Sequence, residues 1–275
     1  MNSNATITSI VARYLSNANF RKDILVDTEQ ALTTCGLVVE DRRELSKFDF
    51  RGLESFGGLI TKTQHNFLYE YLPYTRQLLQ IYRLDLTIFA AYRTLIQSTP
   101  AGGASRVEKT RRFVNYLRAW MGGRDEEFPG LVDLLEHEYI LWDLKNEPRP
   151  DRTVSAVMQS PAAELRNAIA SVQRGVKLAE LRYKPLQMIN RLKQGTQPQR
   201  KDRCQSRLVY WIDTQRSEIR VAEMNQTIWK VIRLCDGKRR LPSLYKELAP
   251  LRPATVRQAL TFAETSGFII MGKPR

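Results

Sequence analysis

Histidine and cysteine are scarce in this sequence, and with them go most routes to covalent or metal chemistry. Only His65 and His137 are present, and the three cysteines, Cys35, Cys204 and Cys235, lie far apart. An odd number of thiols without Cys-x-x-Cys spacing argues against a disulfide framework or a zinc knuckle and predicts reduced, mostly buried thiols. A nucleophilic thiolate needs a base or cation beside it, and the sequence identifies none for Cys35 or Cys204. Glu136-His137-Glu138 offers metal-binding residue types, but neighbouring helical positions point about 100° apart, so the three do not converge without other ligands. No metal site and no catalytic set is predicted. Gly57-Gly58, Gly102-Gly103 and Gly122-Gly123 lack the lysine and spacing of a phosphate loop and read as turns. Missing too is any run of ~20 apolar residues, and Met1 to Thr8 is polar where a signal peptide is basic and then apolar. The expectation is a cytoplasmic protein with no membrane partner.

Positive charge is what the chain has in excess: 43 Lys and Arg against 29 Asp and Glu give a formal +14. A field of that size steers association with a polyanion or with an acidic protein or peptide, without deciding which is bound. The basic residues are spread over Arg106 to Arg118, Arg166 to Lys193, Arg200 to Arg207 and Lys230 to Arg240, not gathered on one helix as in a basic DNA-reading region.

Apolar periodicity predicts a mainly α protein. Ile7, Ile10, Val11, Tyr14 and Leu15 mark one amphipathic helix and Phe20, Ile24 and Leu25 extend the pattern; Asp27 caps a helix that Gly36 stops, and Glu40 opens another. After a break at Gly57-Gly58, Leu68 to Ile96 reads as one or two helices, with Pro73 a start or a kink. The stretch from Pro100 to Ser105 is a stop, Phe113 to Trp120 is helical, and Leu131 to Trp142 forms a helix closed by Pro148 and Pro150. Helix-forming sequence then runs with gaps from Pro161 to Leu192. The polar run Gln194 to Arg200 is the best linker in the chain and is taken as the main boundary, giving segments 1–55, 56–195 and 205–275. Beyond it Leu208 to Ile212 and Glu218 to Glu223 have strand character and form a hairpin. Asn225 caps a helix carrying Ile228, Val231, Ile232 and Cys235; a second helix bears Leu241, Leu244 and Leu248, and Pro253 opens a third with Val256, Ala259, Leu260 and Ala263 on one side. Gly267 releases the chain into Phe268-Ile269-Ile270-Met271. A β-hairpin plus three helices and a short strand is the layout of a winged helix-turn-helix. Trp120 and Trp142 are candidates for a docking surface, because aromatics are enriched where proteins meet.

The last ~70 residues resemble the PqqD-like recognition elements of ribosomal peptide-modification systems. The likeness is carried by Ala222-Glu223-Met224-Asn225, Ile228-Trp229, Ile232 to Gly237, and Phe262 to Ile269 in that order. It implies a winged helix that takes the leader of a precursor peptide as an added strand beside Arg220, Val221, Ala222 and Glu223, with side chains lodged against Val256, Ala259 and Phe262. The preceding part, through Phe113 to Leu117 and Phe128 to Glu136, is similar to partner proteins of multinuclear non-haem iron oxidases. A chain joining both parts resembles the partner subunits of 3-thiaglutamate pathways, and Phe20-Arg21, Ala31-Leu32 and Cys35-Gly36-Leu37 resemble small helical leader-like domains. The resemblance implies a non-catalytic, cofactor-free subunit in a heterodimer with an iron oxidase, the iron residing in the partner. The competing expectation is a winged-helix transcriptional regulator, in which the third helix reads bases; between Thr255 and Thr265 only Arg257 and Gln258 suit that role, so nucleic acid is not the expected partner.

Overall fold

The computed structural model describes residues 3–97, 105–147, 168–213, 216 and 218–272. The chain is mainly helical, with small antiparallel sheets in its C-terminal region. It divides into two compact units, one of residues 1–70 with 86–105 and the other of residues 71–85 with 106–275.

The first unit holds α1 (Ser3–Ser16), α2 (Ala18–Val26), α3 (Thr28–Thr33), α4 (Val39–Ser46) and α5 (Phe50–Tyr69). Its core gathers Ile10, Tyr14, Phe20, Ile24, Leu32, Leu45 and Phe50, the apolar stripe expected from the spacing. Short side chains start the helices: Asn17 Oδ1 accepts from Phe20 N at 3.0 Å, and Asp27 Oδ1 from Gln30 N at 2.9 Å. Gly57-Gly58 does not break the chain, because α5 runs through both residues. Each glycine costs a helix interior only about 1 kcal/mol, which a 20-residue helix tolerates.

The stretch 68–96 makes three helical pieces, not one or two. α5 ends at Tyr69, Pro73 stands at the first turn of α6 (Pro73–Ile81), and α7 (Asp85–Gln97) follows. Between α6 and α7 the backbone turns through Arg83, at φ 59°, with Leu84 N donating to Leu79 O at 2.8 Å. That bond closes a helix in the way a C-terminal glycine usually does, so the sequence carries no glycine to announce the stop.

In the second unit α6 is joined by α8 (Arg106–Met121) and α9 (Leu131–Asn146). Expectations about Pro100, Pro148, Pro150 and Pro161 lie outside the described residues. The stretch foreseen as helix towards Leu192 is helix only at its end: β1 (Ile169–Val172) and β2 (Val176–Leu181) are strands, and α10 (Pro185–Lys193) follows them. β3 (Ser206–Asp213) and β4 (Glu218–Glu223) form the expected hairpin. α11 (Gln226–Leu234), β5 (Asp236–Arg240), α12 (Leu241–Glu247), α13 (Pro253–Thr265) and β6 (Ile269–Gly272) complete the chain.

Among the described residues the strands form two three-stranded sheets, in the orders β2-β3-β4 and β5-β1-β6. β2 pairs with β3 across the polar stretch 194–200, from Val176 opposite Trp211 to Leu181 opposite Ser206. That stretch therefore joins strands of one sheet and is not a domain boundary. Strand alternation sends Val176, Leu178, Val209, Trp211 and Ala222 to one face, against a core of Trp229, Ile232, Leu244, Val256, Leu260 and Phe268. Ala179, Leu181, Leu208, Tyr210, Ile212 and Ile219 go to the other face, against Ile140, Leu141 and Leu144 of α9. The sheet is the middle layer of a sandwich of helices.

Gly130 opens α9 at φ 78°, and a Cβ there would lie 2.5 Å from Met188 Sδ of α10. Left-handed backbone costs a substituted residue roughly 1–2 kcal/mol before the clash is counted. Gly130→Ala is expected to destabilise the protein by at least that amount in urea unfolding, whereas Gly123→Ala, with open space around its Cβ, loses only the backbone part.

Candidate functional site

The hairpin β3–β4 leaves β4 at the outside of its sheet. Met224 N donates to Arg207 O at 2.7 Å, fixing which opposed residues exchange hydrogen bonds. In an antiparallel ladder such pairs alternate with unbonded ones, so Ala222 opposite Val209 and Arg220 opposite Trp211 bond inward. The main-chain groups of Ile219, Val221 and Glu223 consequently point away from the sheet, and no strand pairs with them among the described residues. Charged residues flank this edge: Arg220 meets Asp213 at 3.0 Å, and Lys184 of the residue pair preceding α10 meets Glu223 at 2.9 Å. Charges and short length keep an open edge from pairing indiscriminately.

The same unit presents α13. Pro253 sits in its first turn, where a missing amide proton costs nothing. Two side-chain stripes run along it. Val256, Ala259, Leu260 and Ala263 face the core. Ala254, Arg257, Gln258, Thr261, Phe262 and Thr265 line an open depression of about 550 Å³. Phe262, 43% exposed, packs edge-on against Phe268 at 6.1 Å, and Phe268 in turn meets Trp211 of β3 at 5.1 Å. This chain of rings connects the exposed stripe to the sheet.

The residues expected to contact a peptide thus separate. Val221, 37% exposed, and Phe262 are accessible, Arg220 and Glu223 flank the edge in ion pairs, and Ala222 packs into the core from β4. Val256 and Ala259 are 1% and 4% exposed, so they support α13 from below and do not line its open side. Helical periodicity located the apolar stripe, and the turn of the helix away from it, at Arg257, Gln258 and Thr261, is the side that faces outward. Of the docking candidates, Trp142 is 4% exposed and packed against Tyr71 and Tyr139, which removes it from any surface. Trp120 is half-buried, stacked on Phe128 at 5.5 Å, with the Arg124 guanidinium 4.5 Å from its ring.

Glu136, His137 and Glu138 diverge as the helical geometry requires. Glu136 takes a two-pronged bond from Arg118, His137 Nδ1 shares a 2.9 Å hydrogen bond with the Tyr210 hydroxyl, and Glu138 accepts from Tyr74 N and Thr75 N, each at 2.8 Å. No group of three metal-ligating side chains occurs among the described residues. Cys235 is buried, its thiol pushed up to about 12 by desolvation and by the charge of Asp236; Cys35 is half-buried and Cys204 exposed, so the thiols are less uniformly buried than expected.

No family model matches this sequence, and no curated protein matches it.

Desolvation lowers His137 to about 4, so the folded protein keeps it neutral where the unfolded chain protonates it below about 6.5. Stability is therefore lost as pH falls from about 6.5 to 4, by up to roughly 3 kcal/mol. Burial raises Asp133 and Glu138, and those carboxyls act in the opposite direction, gaining protons in the folded state first as pH falls. The wild type should lose more stability than His137→Gln across this window in urea titrations at pH 6.5 and 4.5; equal losses would show that the imidazole is not held neutral.

Proposed function

We propose that this chain is a non-catalytic, cytoplasmic recognition subunit that binds the leader of a ribosomally made precursor peptide and presents it to a separate modifying enzyme. The observation that carries the reading is the unpaired edge of β4, with outward main-chain groups at Ile219, Val221 and Glu223, in the same compact unit as the exposed stripe of α13. An open strand edge supplies main-chain hydrogen bonds for affinity, and adjacent side chains supply specificity. The order α11, β5, α12, α13, β6 is read as a winged helix-turn-helix, whose small sheet takes its third strand, β1, from earlier in the chain.

The resemblance of the sequence to PqqD-like elements and to partner proteins of multinuclear non-haem iron oxidases supports the finer version of this reading. In it the chain forms a heterodimer with such an oxidase, needs no cofactor of its own, and delivers a cysteine-bearing carrier peptide for modification of the 3-thiaglutamate type. Trp120 is the remaining aromatic candidate for the oxidase contact. Holding the leader raises the effective concentration of the peptide's reactive end at the enzyme, so a weak active-site contact suffices.

Deleting the chain from Gln205 onward is a poor test, because it strips β3 from β2 and uncovers α9. A cleaner probe is Val221→Pro: it removes an outward amide and leaves the β3–β4 ladder intact, whereas Ala222→Pro breaks an inward bond. Val221→Pro should retain a near-wild-type melting temperature and abolish binding of a labelled precursor peptide by fluorescence anisotropy. Salt-sensitive, sequence-specific retention of duplex DNA by a chain that ignores peptide would instead make it a regulator.

A further inference from the structure

Resting on the peptide-binding reading, we infer that the strand held at β4 carries two apolar side chains at alternate positions, both on the side of the sheet that α9 covers. Residues directly opposed across neighbouring strands send their side chains to the same face, with Cβ atoms about 4.5–5.5 Å apart. The hairpin register therefore assigns every place along the edge to a face. Ile219, Val221 and Glu223 oppose Ile212, Tyr210 and Leu208 of β3 on the α9 side, while Arg220 and Ala222 oppose Trp211 and Val209 on the other. A residue added beside Ile219 or Val221 joins the first group and its chain neighbours join the second, whichever way the added strand runs.

The two faces differ in chemistry. On the α9 side Val221 is 37% exposed, and Ile219, Ile212, Ile140 and Leu141 are half-buried, so apolar surface is left partly in water. Covering it with apolar side chains is favourable. On the other side the edge offers only the Arg220 guanidinium, held by Asp213, and the single methyl of Ala222. The Glu223 pair with Lys184 follows directly on the α9 side, which limits the apolar stretch to Ile219 and Val221.

A second copy of the chain fits this edge poorly. In antiparallel pairing, the register that sets Ile219 against Val221 also sets the Arg220 residues of the two copies against each other. Registers centred on Val221 or on Ala222 set Glu223 against Ile219 or against Val221. Like charges directly opposed are destabilising, and an acid opposed to an apolar group forfeits the cross-strand contribution. A strand from a different chain carries no such constraint.

The test uses the full chain and fluorescein-labelled peptides of one composition in a Thr-rich strand, with two Ile residues either separated by one Thr or adjacent. The separated arrangement should bind about fivefold more tightly by anisotropy. Val221→Lys should keep a near-wild-type melting temperature and bind that peptide about fivefold more weakly. Glu in place of one of the two isoleucines should restore binding to Val221→Lys while weakening binding to the wild type; Glu at the Thr between them, on the other face, should not. If the precursor leader binds and Val221→Pro abolishes this, but spacing and charge exchange have no effect, the selectivity inference fails and the peptide-binding reading stands. If sedimentation shows a dimer that Val221→Pro dissociates, the edge belongs to a second copy and the inference is overturned. If neither the peptides nor the precursor leader bind the wild type, the peptide-binding reading fails as well.

Discussion

The second unit is organised by the buried polar side chains of α9. Asp133 accepts from Arg182 N at 2.7 Å and fixes the chain where β2 ends; His137 holds Tyr210 in the middle strand; Glu138 receives two amides at the start of α6. Each bond spans at least 49 residues of sequence, and each partner is a group whose burial without a hydrogen bond is costly. Apolar contacts from Ile140, Leu141 and Leu144 press the same helix on the sheet, but apolar contact alone tolerates sliding. The polar bonds specify the register of α9 against β2, β3 and α6, because a shift by one residue would leave several buried groups unpaired.

With one face of the β2-β3-β4 sheet held by α9 and the other by the core beneath α11 and α13, the sheet is closed above and below and open sideways. Its outer strands are β2 and β4, each with a single strand partner among the described residues, and β4 is the edge that lies in the hairpin. Main-chain groups there are fixed in direction by the ladder to β3, so an incoming strand meets donors and acceptors already aligned and bears most of the ordering cost itself. Arg220 and Glu223, tied to Asp213 and Lys184, leave the edge polar at both ends while Val221 lies between them. Charged residues at both ends of so short a strand keep an open edge from pairing indiscriminately.

How much of this was legible in the sequence depended on whether the signal was local. Asn225 as a helix start, the β3–β4 hairpin, Pro253 at the head of α13 and the closing strand all rest on residues whose preferences act within a few positions. β5 was missed because Asp236 to Arg240 has no apolar alternation; it is a strand only because β1 lies beside it. β1 and β2 were hidden for a similar reason, their pairing partners lying far along the chain, and the polar run 194–200 suggested a boundary where the sheet in fact continues. Composition could not show that Trp142 and Val256 are buried and Phe262 exposed, since helical spacing gives two faces and only packing decides which is covered.

The charge of the protein acquires a meaning once the ion pairs are placed. Many of the cations that suggested a polyanionic partner are spent within the fold: Arg118 on Glu136, Arg182 on Asp125, Arg203 on Glu126, and Arg207 and Arg233 on Glu180. A net excess of +14 does not by itself define a binding face, and these pairs, largely at the surface, are each worth only about 0–1 kcal/mol. A DNA reader needs unpaired cations along the ridge that follows the phosphates, with base-reading side chains between them. α13 instead offers Arg257 with Gln258, Thr261 and an exposed phenylalanine, a mixture better matched to alternating side chains of an extended peptide than to the uniform charge of a duplex.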